Sequence, residues 1–285
     1  MRHVQTLRAV TLIARLGSIR KAAEALHIVP SALTRQLQDL EGEIGAALFE
    51  RKARGMRLTA AGELFVRYSR TAVHDLDLVR SQIEDLKGLR GGTVAMSAIE
   101  AVATTVLPQA IADFRKRNPR VRFEVHVMGA DQVVRSVEAD EADIGITFNP
   151  APSRGLRVLA EFAQELYAIM SDAHPLARRQ SIRLRDCQGY PLLLDQFLMR
   201  SSLHLEPVLV SNSVEMLKSV ARSSEAICFQ IGVGAPARGA GLKAIALADA
   251  GLRSGKLIVG ARRGRVLPVA AAVFTEQLKK QLAQG

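Results

Sequence analysis

Residues 17–62 read GSIRKAAEALHIVPSALTRQLQDLEGEIGAALFERKARGMRLTAAG, and their spacing predicts two short helices followed by a basic hairpin. Ser18 stands where a helix cap belongs, because a serine hydroxyl can accept from a first-turn amide. Ile19, Ala22, Ala23 and Leu26 then fall on one face of a helix that ends near His27. After a turn at Ile28 and Val29, Pro30 takes a first helical position, where its missing N–H costs nothing. Leu33, Leu37 and Leu40 form one buried stripe, while Ser31, Thr34, Arg35 and Gln38 lie opposite and Ala32 permits close approach. Phe49 closes the local core, and Arg51, Lys52, Arg54 and Arg57 surround Gly55 on a tight turn. A helix with short polar groups and a guanidinium near its start suits a DNA major groove. The cationic hairpin beside it would straddle a phosphate backbone. Packed surface helices and solvated arginine runs give the same local pattern, so the rest of the chain has to discriminate.

Hydrophobic residues are 48% of the 285 and charged residues 24%, a composition that buries cores and, at this length, allows about two domains. No apolar run approaches the ~18 residues of a membrane span, and no signal-like stretch opens the chain, so a cytoplasmic protein with no membrane partner is expected. Cys187 and Cys228 cannot make a disulfide framework, in keeping with a reducing compartment. The net charge of +11 suggests a polyanionic partner. It does not locate the contact, since residues 1–58 carry ten basic and five acidic side chains and residues 93–285 carry 24 and 18. Clustering around Gly55 does.

Thr59 opens a long helical segment in which Phe65, Ala72, Val79 and Leu86 recur every seven residues and Leu76 and Ile83 fill the seam, up to Gly88, Gly91 and Gly92. A helix of about 30 residues with so narrow a seam cannot bury itself alone, so a dimerising linker is expected. The alternative is a surface helix packed on its own domain. Beyond Gly92, strands at 93–97, 121–127 and 143–148 alternate with helices at 104–116 and after Asp131. A second block places strands at 166–170, 191–194, 205–210, 226–231 and 257–260, with helices at 213–222 and 267–282. Alternation predicts parallel sheets covered by helices, hence two α/β lobes with a ligand cleft between them.

In their order and spacing, GSIRKAAEAL, PSALTRQLQDLE, LFERKARGMRLTAAG, VLPQAIADFRKRNPRV, EADIGITF and HPLA make the chain resemble the LysR-type transcriptional regulators over nearly its whole length. The resemblance implies a multidomain α/β protein. A winged helix-turn-helix would occupy 1–58, a linker and dimerisation helix 59–90, and an effector-binding region 91–285 like the type 2 periplasmic binding proteins. Its lobe I would cover about 91–161 and 266–285, and lobe II about 162–265. The implied partners are double-stranded promoter or operator DNA, a small-molecule effector, a second copy in a homodimer or homotetramer, and RNA polymerase. No cofactor, metal or enzymatic activity is implied. Carried over by position, the DNA contacts are Ser18, Pro30, Ser31, Thr34, Arg35 and Gln36 on the helix pair, with Arg51 and Arg54 on the wing.

Three features depart from the family pattern. Val29 stands where a capping Thr or Ser is usual, which leaves the first amides of the second helix to Ser31 or to a backbone turn. Only DQFLMRSSLH, residues 195–204, separates two strands that the family joins through a helix. In RSSEAICF, Ser223 and Ser224 replace a glycine-containing turn and would carry strain if that turn needs a positive φ.

By position, the cleft would be lined by Ser97, Glu100, Ala101 and Val102, by Gly129 and Ala130, by Thr147 and Phe148, and by Gln196 and Gln230 from the far lobe. Thr104 and Thr105 would start a helix whose free amides favour an anion. Glu100 argues for a cationic or hydroxylic ligand instead, unless it simply sits at a helix N-terminus. A thiol switch would use Cys187, among Arg183, Arg185 and Asp186, because Cys228 lies in an apolar strand. The six histidines, His3, His27, His74, His126, His174 and His204, have no metal-ligand spacing, and no nucleophile or phosphate-loop motif is present. A plain solute-binding protein would explain the lobes but not the first 90 residues.

Overall fold

The computed structural model describes residues 2–52, 55–86, 91–195, 205–236, 241–249 and 255–283. Contacts divide the chain into two units, Met1–Lys87 and Gly88–Gly285.

The first unit runs α1 (Arg2–Leu16), α2 (Ile19–Ala25), α3 (Pro30–Ile44), β1 (Phe49–Lys52), β2 (Gly55–Leu58) and α4 (Ala60–Leu86). Ser18 caps α2 by accepting the Lys21 N–H, and α2 ends at Leu26, after which His27 turns the chain at φ +55°. Leu33, Leu37 and Leu40 of α3 are buried with Ala9, Val10 and Ile13 of α1, Ala22 and Ala23 of α2, Leu48, Phe49 and Val66. The α3–β1 loop is held by Glu41, whose carboxylate accepts the Leu48 and Phe49 N–H groups at 2.7 and 3.2 Å. Thr59 then starts α4, accepting the Gly62 N–H at 3.0 Å and donating to the Ala47 carbonyl at 2.7 Å.

The first turns of α4 serve this core, which corrects the expected seam. Val66 is buried and Phe65 packs against the same cluster. Among the described side chains of α4, the large apolar ones left on the surface are Leu64, Tyr68, Val79 and Ile83, at 64, 55, 47 and 45% exposure. Phe65 therefore belongs to the domain, and the uncovered stripe begins one residue earlier.

The second unit contains two sheets. The five-stranded sheet has the order β4 (Val121–Val127), β3 (Gly92–Ala98), β5 (Ile144–Phe148), β13 (Gly255–Arg262), β6 (Leu156–Gln164). The six-stranded sheet has the order β10 (Leu209–Ser211), β9 (Leu192–Asp195), β11 (Ile227–Ile231), β7 (Leu166–Ser171), β12 (Leu242–Leu247), β8 (Ser181–Ile182). Neither is purely parallel as expected: β13 is antiparallel to β5 and β6, and β7 is antiparallel to β11 and β12. Strand 257–260, expected in lobe II, thus belongs to the first sheet, because its register runs Leu257↔Phe148 on one side and Leu257↔Phe162 on the other. The chain crosses between the sheets at Glu165 and again between Leu247 and Gly255.

On the first sheet lie α5 (Glu100–Ala103), α6 (Val106–Arg117), α7 (Ala130–Glu138) and α10 (Val269–Leu282). Phe114, Phe123 and Phe274 meet edge to face there, with ring centroids 4.9 to 5.8 Å apart. On the second sheet α9 (Val214–Arg222), following α8 (Leu184–Cys187), covers Ile169, Leu193 and Cys228 with Leu217 and Ala221. The turn after α9 is unstrained: Ser223 has φ −104°, Ser224 is not among the positive-φ residues, and the Ser224 hydroxyl donates to the Val220 carbonyl at 2.7 Å while accepting the Ala226 N–H. A serine turn of this kind satisfies the helix end without glycine. The short connection at 195–204 lies, apart from Asp195, outside the described residues.

Candidate nucleic-acid interface and interlobe cleft

α3 buries its leucine stripe and leaves Pro30, Ser31, Arg35, Gln36 and Gln38 exposed on the other side. Thr34 is half-buried, and its hydroxyl donates to the Pro30 carbonyl at 2.9 Å, which leaves the hydroxyl oxygen free to accept but not to donate. Val29 is the N-cap and gives no side-chain hydrogen bond; it is 63% exposed, and the Ala32 and Leu33 N–H groups bond to its carbonyl instead. Ser31 does not replace the missing hydroxyl.

The hairpin β1–β2 pairs Glu50 with Arg57, Arg51 with Met56 and Lys52 with Gly55. Arg51, Lys52 and Arg57 are exposed, and Lys52 Nζ lies 3.0 Å from the Glu50 carboxylate in a solvated pair that stabilises little. Arg54 lies outside the described residues. The hairpin is docked on the α1–α2 turn, since the Met56 N–H donates to the Gly17 carbonyl at 2.8 Å. Between them runs an open groove of about 450 Å³ lined by Gly17, Ser18, Lys21, Arg51, Lys52 and Met56 among others. Lys21 was not legible as a site residue from the motif alone, although its position three residues after the cap places it on the same edge. Three cations around one groove form a surface to which a phosphodiester is attracted.

The cleft residues fall into two groups. Ser97, Ala101, Val102, Thr147 and Gln230 are buried. Ser97 and Ser136 share a hydrogen bond of 2.8 Å, the Thr147 hydroxyl donates to the Ala130 carbonyl at 3.1 Å, and the Gln230 amide oxygen accepts the Ile231 N–H at 2.8 Å. Glu100, Thr104, Gly129, Ala130 and Phe148 keep some exposure, and Gln196 lies outside the described residues.

The expected free amides at Thr104 and Thr105 are engaged, donating to the carbonyls of Glu100 and Val102. Both hydroxyls donate backwards as well, to the Glu100 and Ala101 carbonyls. The turn Glu100–Ala103 consumes them before α6 begins. Glu100 in turn does not act at the start of its own helix. Its carboxylate crosses to the second lobe and accepts the Ser213 hydroxyl at 3.1 Å and the Val214 and Glu215 N–H groups at 2.5 and 3.4 Å.

Burial removes the thiol-switch reading. Cys187 and Cys228 are both buried, and desolvation pushes each thiol up to about 12, with Asp186 and Asp249 adding to the effect at Cys187. At such values the thiolate is scarce at neutral pH. His174, expected in a loop, is the buried N-cap of the 3-10 turn Pro175–Arg178: its Nδ1 accepts the Leu176 N–H at 3.1 Å. Among the described residues no group of three or more His, Cys, Asp or Glu side chains is placed to hold a metal ion, and no helix is long and apolar enough to cross a membrane.

Comparison with known proteins agrees with both halves of this geometry. Residues 4–63 match the family model described as bacterial regulatory helix-turn-helix protein, lysR family, and residues 87–283 match the LysR substrate binding domain. A protein of Cyanophora paradoxa named "Probable RuBisCO transcriptional regulator" is 31% identical over 186 residues, which are 64% of this chain and 57% of that one. A protein of the same name from Trichormus variabilis is 28% identical over 240 residues, 78% of this chain and 71% of that one. Among solved structures, a full-length OxyR variant from Pseudomonas aeruginosa superposes with a TM-score of 0.72 at 18% identity, covering 98% of this chain and 94% of that one. Full-length CbnR complexed with its target DNA gives 0.64 at 19% identity, covering 98% and 99%. At those identities the structures establish a shared fold.

Proposed function

Since the chain belongs to the LysR family of bacterial regulators, we propose that it is a cytoplasmic, sequence-specific regulator of transcription, controlled by a small molecule bound between the two lobes of its second unit. The observation that carries this reading is the polar face of α3, raised above the buried Leu33–Leu37–Leu40 stripe beside a cationic wing.

Arg35, Gln36 and Ser31 read base edges from the first two turns of α3, and Pro30 and Thr34 set its approach. Arg51, Arg54 and Lys21 contact phosphates, and Ser18 holds the turn that carries them. The stripe Leu64, Tyr68, Val79 and Ile83 on α4 pairs with a second copy, so that two recognition helices meet two half-sites; a homotetramer follows if two such dimers join. RNA polymerase is the further partner this role entails. The effector enters beside Glu100, Thr104 and Gly129, where the cleft residues retain exposure. An effector controls the protein only through unequal affinity for two arrangements of the assembly.

The test is selection of sheared genomic DNA by the purified protein, with sequencing of the bound fragments, at salt high enough to suppress non-specific attraction. Enrichment of a dyad-symmetric site is expected. Binding that is lost uniformly with salt and enriches nothing would overturn the assignment.

A further inference from the structure

We propose that Glu100 is a latch between the two lobes, which ties them together across the cleft and has to let go before they can separate.

The contact is made by the amides at the start of α9. The first N–H groups of any helix have no partner within it. Here the Met216 N–H is taken by the Ser213 hydroxyl oxygen at 3.3 Å, in the usual manner of a serine cap. The Val214 and Glu215 N–H groups remain, and both donate to Glu100, a residue of the other lobe. The Ser213 hydroxyl, accepting from Met216, turns its own proton to Glu100 as well. Glu215, the acidic residue of the first turn of α9, is not available for this role because its carboxylate pairs with the buried Lys218 at 2.9 Å. A carboxylate from lobe I therefore completes a helix of lobe II.

The latch has a firm base. Only Ile99 separates Glu100 from the end of β3 at Ala98, and the Ile99 N–H donates to the Ile146 carbonyl at 3.1 Å. Ala101 and Val102 next to it are buried. Beside the latch the lobes also meet at Gln164 of β6, whose amide oxygen accepts the Val233 N–H at 2.8 Å next to the crossing at Glu165, and at Gly234, which follows β11 and where a Cβ would sit 3.0 Å from the Ala101 Cβ. The first of these contacts is neutral and the second apolar. Glu100 supplies the charged one, between two sheets that the chain crosses between twice. When the lobes part, water can replace the carboxylate at Val214 and Glu215. The contact can therefore open without unfolding either lobe.

Amide hydrogen exchange of the full-length protein, without DNA or effector, tests this, because protection of the Val214 and Glu215 amides has no source inside α9. Glu100→Ala is expected to speed exchange of these two amides by about tenfold or more, while peptides from β3 and β11 keep their protection. Glu100→Gln, which keeps the shape but offers one neutral oxygen, should give an intermediate increase. Unchanged exchange at Val214 and Glu215 in folded Glu100→Gln and Glu100→Ala would overturn the latch. If Glu100→Ala loosens every peptide alike, Glu100→Gln decides. The regulatory meaning rests on the function proposed above, but the exchange does not. Failure to enrich an operator would remove that function and leave the latch standing.

Discussion

A Cβ added to Gly55 would lie 2.5 Å from the carbonyl oxygen of Gly17, the same oxygen that accepts the Met56 N–H. The wing is thus seated on the turn between α1 and α2 by an approach that no other residue permits, and Gly55 adopts φ +118°, where side chains are strained in addition. Together with the packing of Phe49, Met56 and Leu58 on the core, this contact fixes the position of Arg51 relative to Ser18.

Gly55→Ala should lift the hairpin from that turn. A loss of ~1–3 kcal/mol in stability is expected from the backbone strain and the displaced contact, together with weaker binding to all DNA sequences alike. Urea denaturation of the full chain and binding to a scrambled duplex measure the two effects. A variant as stable as the parent would show that the wing is not seated in this way.

Val29→Thr should stabilise the protein. The N-cap position of α3 has extended φ and ψ of −74° and 140° and lacks a side-chain acceptor, so a hydroxyl there gains a bond to a first-turn amide worth ~1 kcal/mol. The urea midpoint should rise for Val29→Thr and stay for Val29→Ala, which has no cap to lose. Equal midpoints for all three proteins would mean that the first turn is already satisfied.

His174 makes the fold sensitive to acid. Burial lowers its pKa below the ordinary 6.5, an effect only partly offset by Glu225. The unfolded chain then binds a proton near pH 6.5 that the folded chain refuses. Stability is full above 6.5 and falls as the pH drops through the folded-state value. His174→Asn keeps an acceptor for the Leu176 N–H but has no proton to gain. Its Tm should therefore fall less than that of the parent between about pH 7 and 5. Parallel profiles would contradict the assignment.

The stripe on α4 predicts assembly. Ile83→Asp places a carboxylate on a surface that, in the proposed dimer, faces its own copy, so the sedimenting mass should drop by at least half toward the 30.9 kDa chain. An unchanged mass would assign Leu64, Tyr68, Val79 and Ile83 to some other role.

Periodicity made the first unit legible. Leu33, Leu37 and Leu40 point one way because a helix must bury a stripe, and Ser18 and Pro30 mark helix starts by their own chemistry. α1 went unread, since its apolar residues carry no motif. In the second unit β6 and β12 were missed: LRVLAEFAQ alternates imperfectly and LKAIAL is short. Without them, β13 had no visible partner on its outer side and the sheets read as parallel. Phe65 shows the limit of a heptad count, which finds a seam but not the surface that covers it. Glu100 shows another. Its type and place suggested a helix N-terminus, yet the helix lies 114 residues onward in the chain, at Val214, and no local window connects the two.

In the proposed complex α3 reads bases through Arg35. Affinities of the parent and of Arg35→Ala should be measured on the selected operator and on a scrambled duplex, at two salt concentrations. The prediction is a loss of ~1–3 kcal/mol on the operator and almost none on the scrambled duplex. An equal loss on both would make Arg35 a phosphate contact, and no loss on either would move the reading surface away from α3.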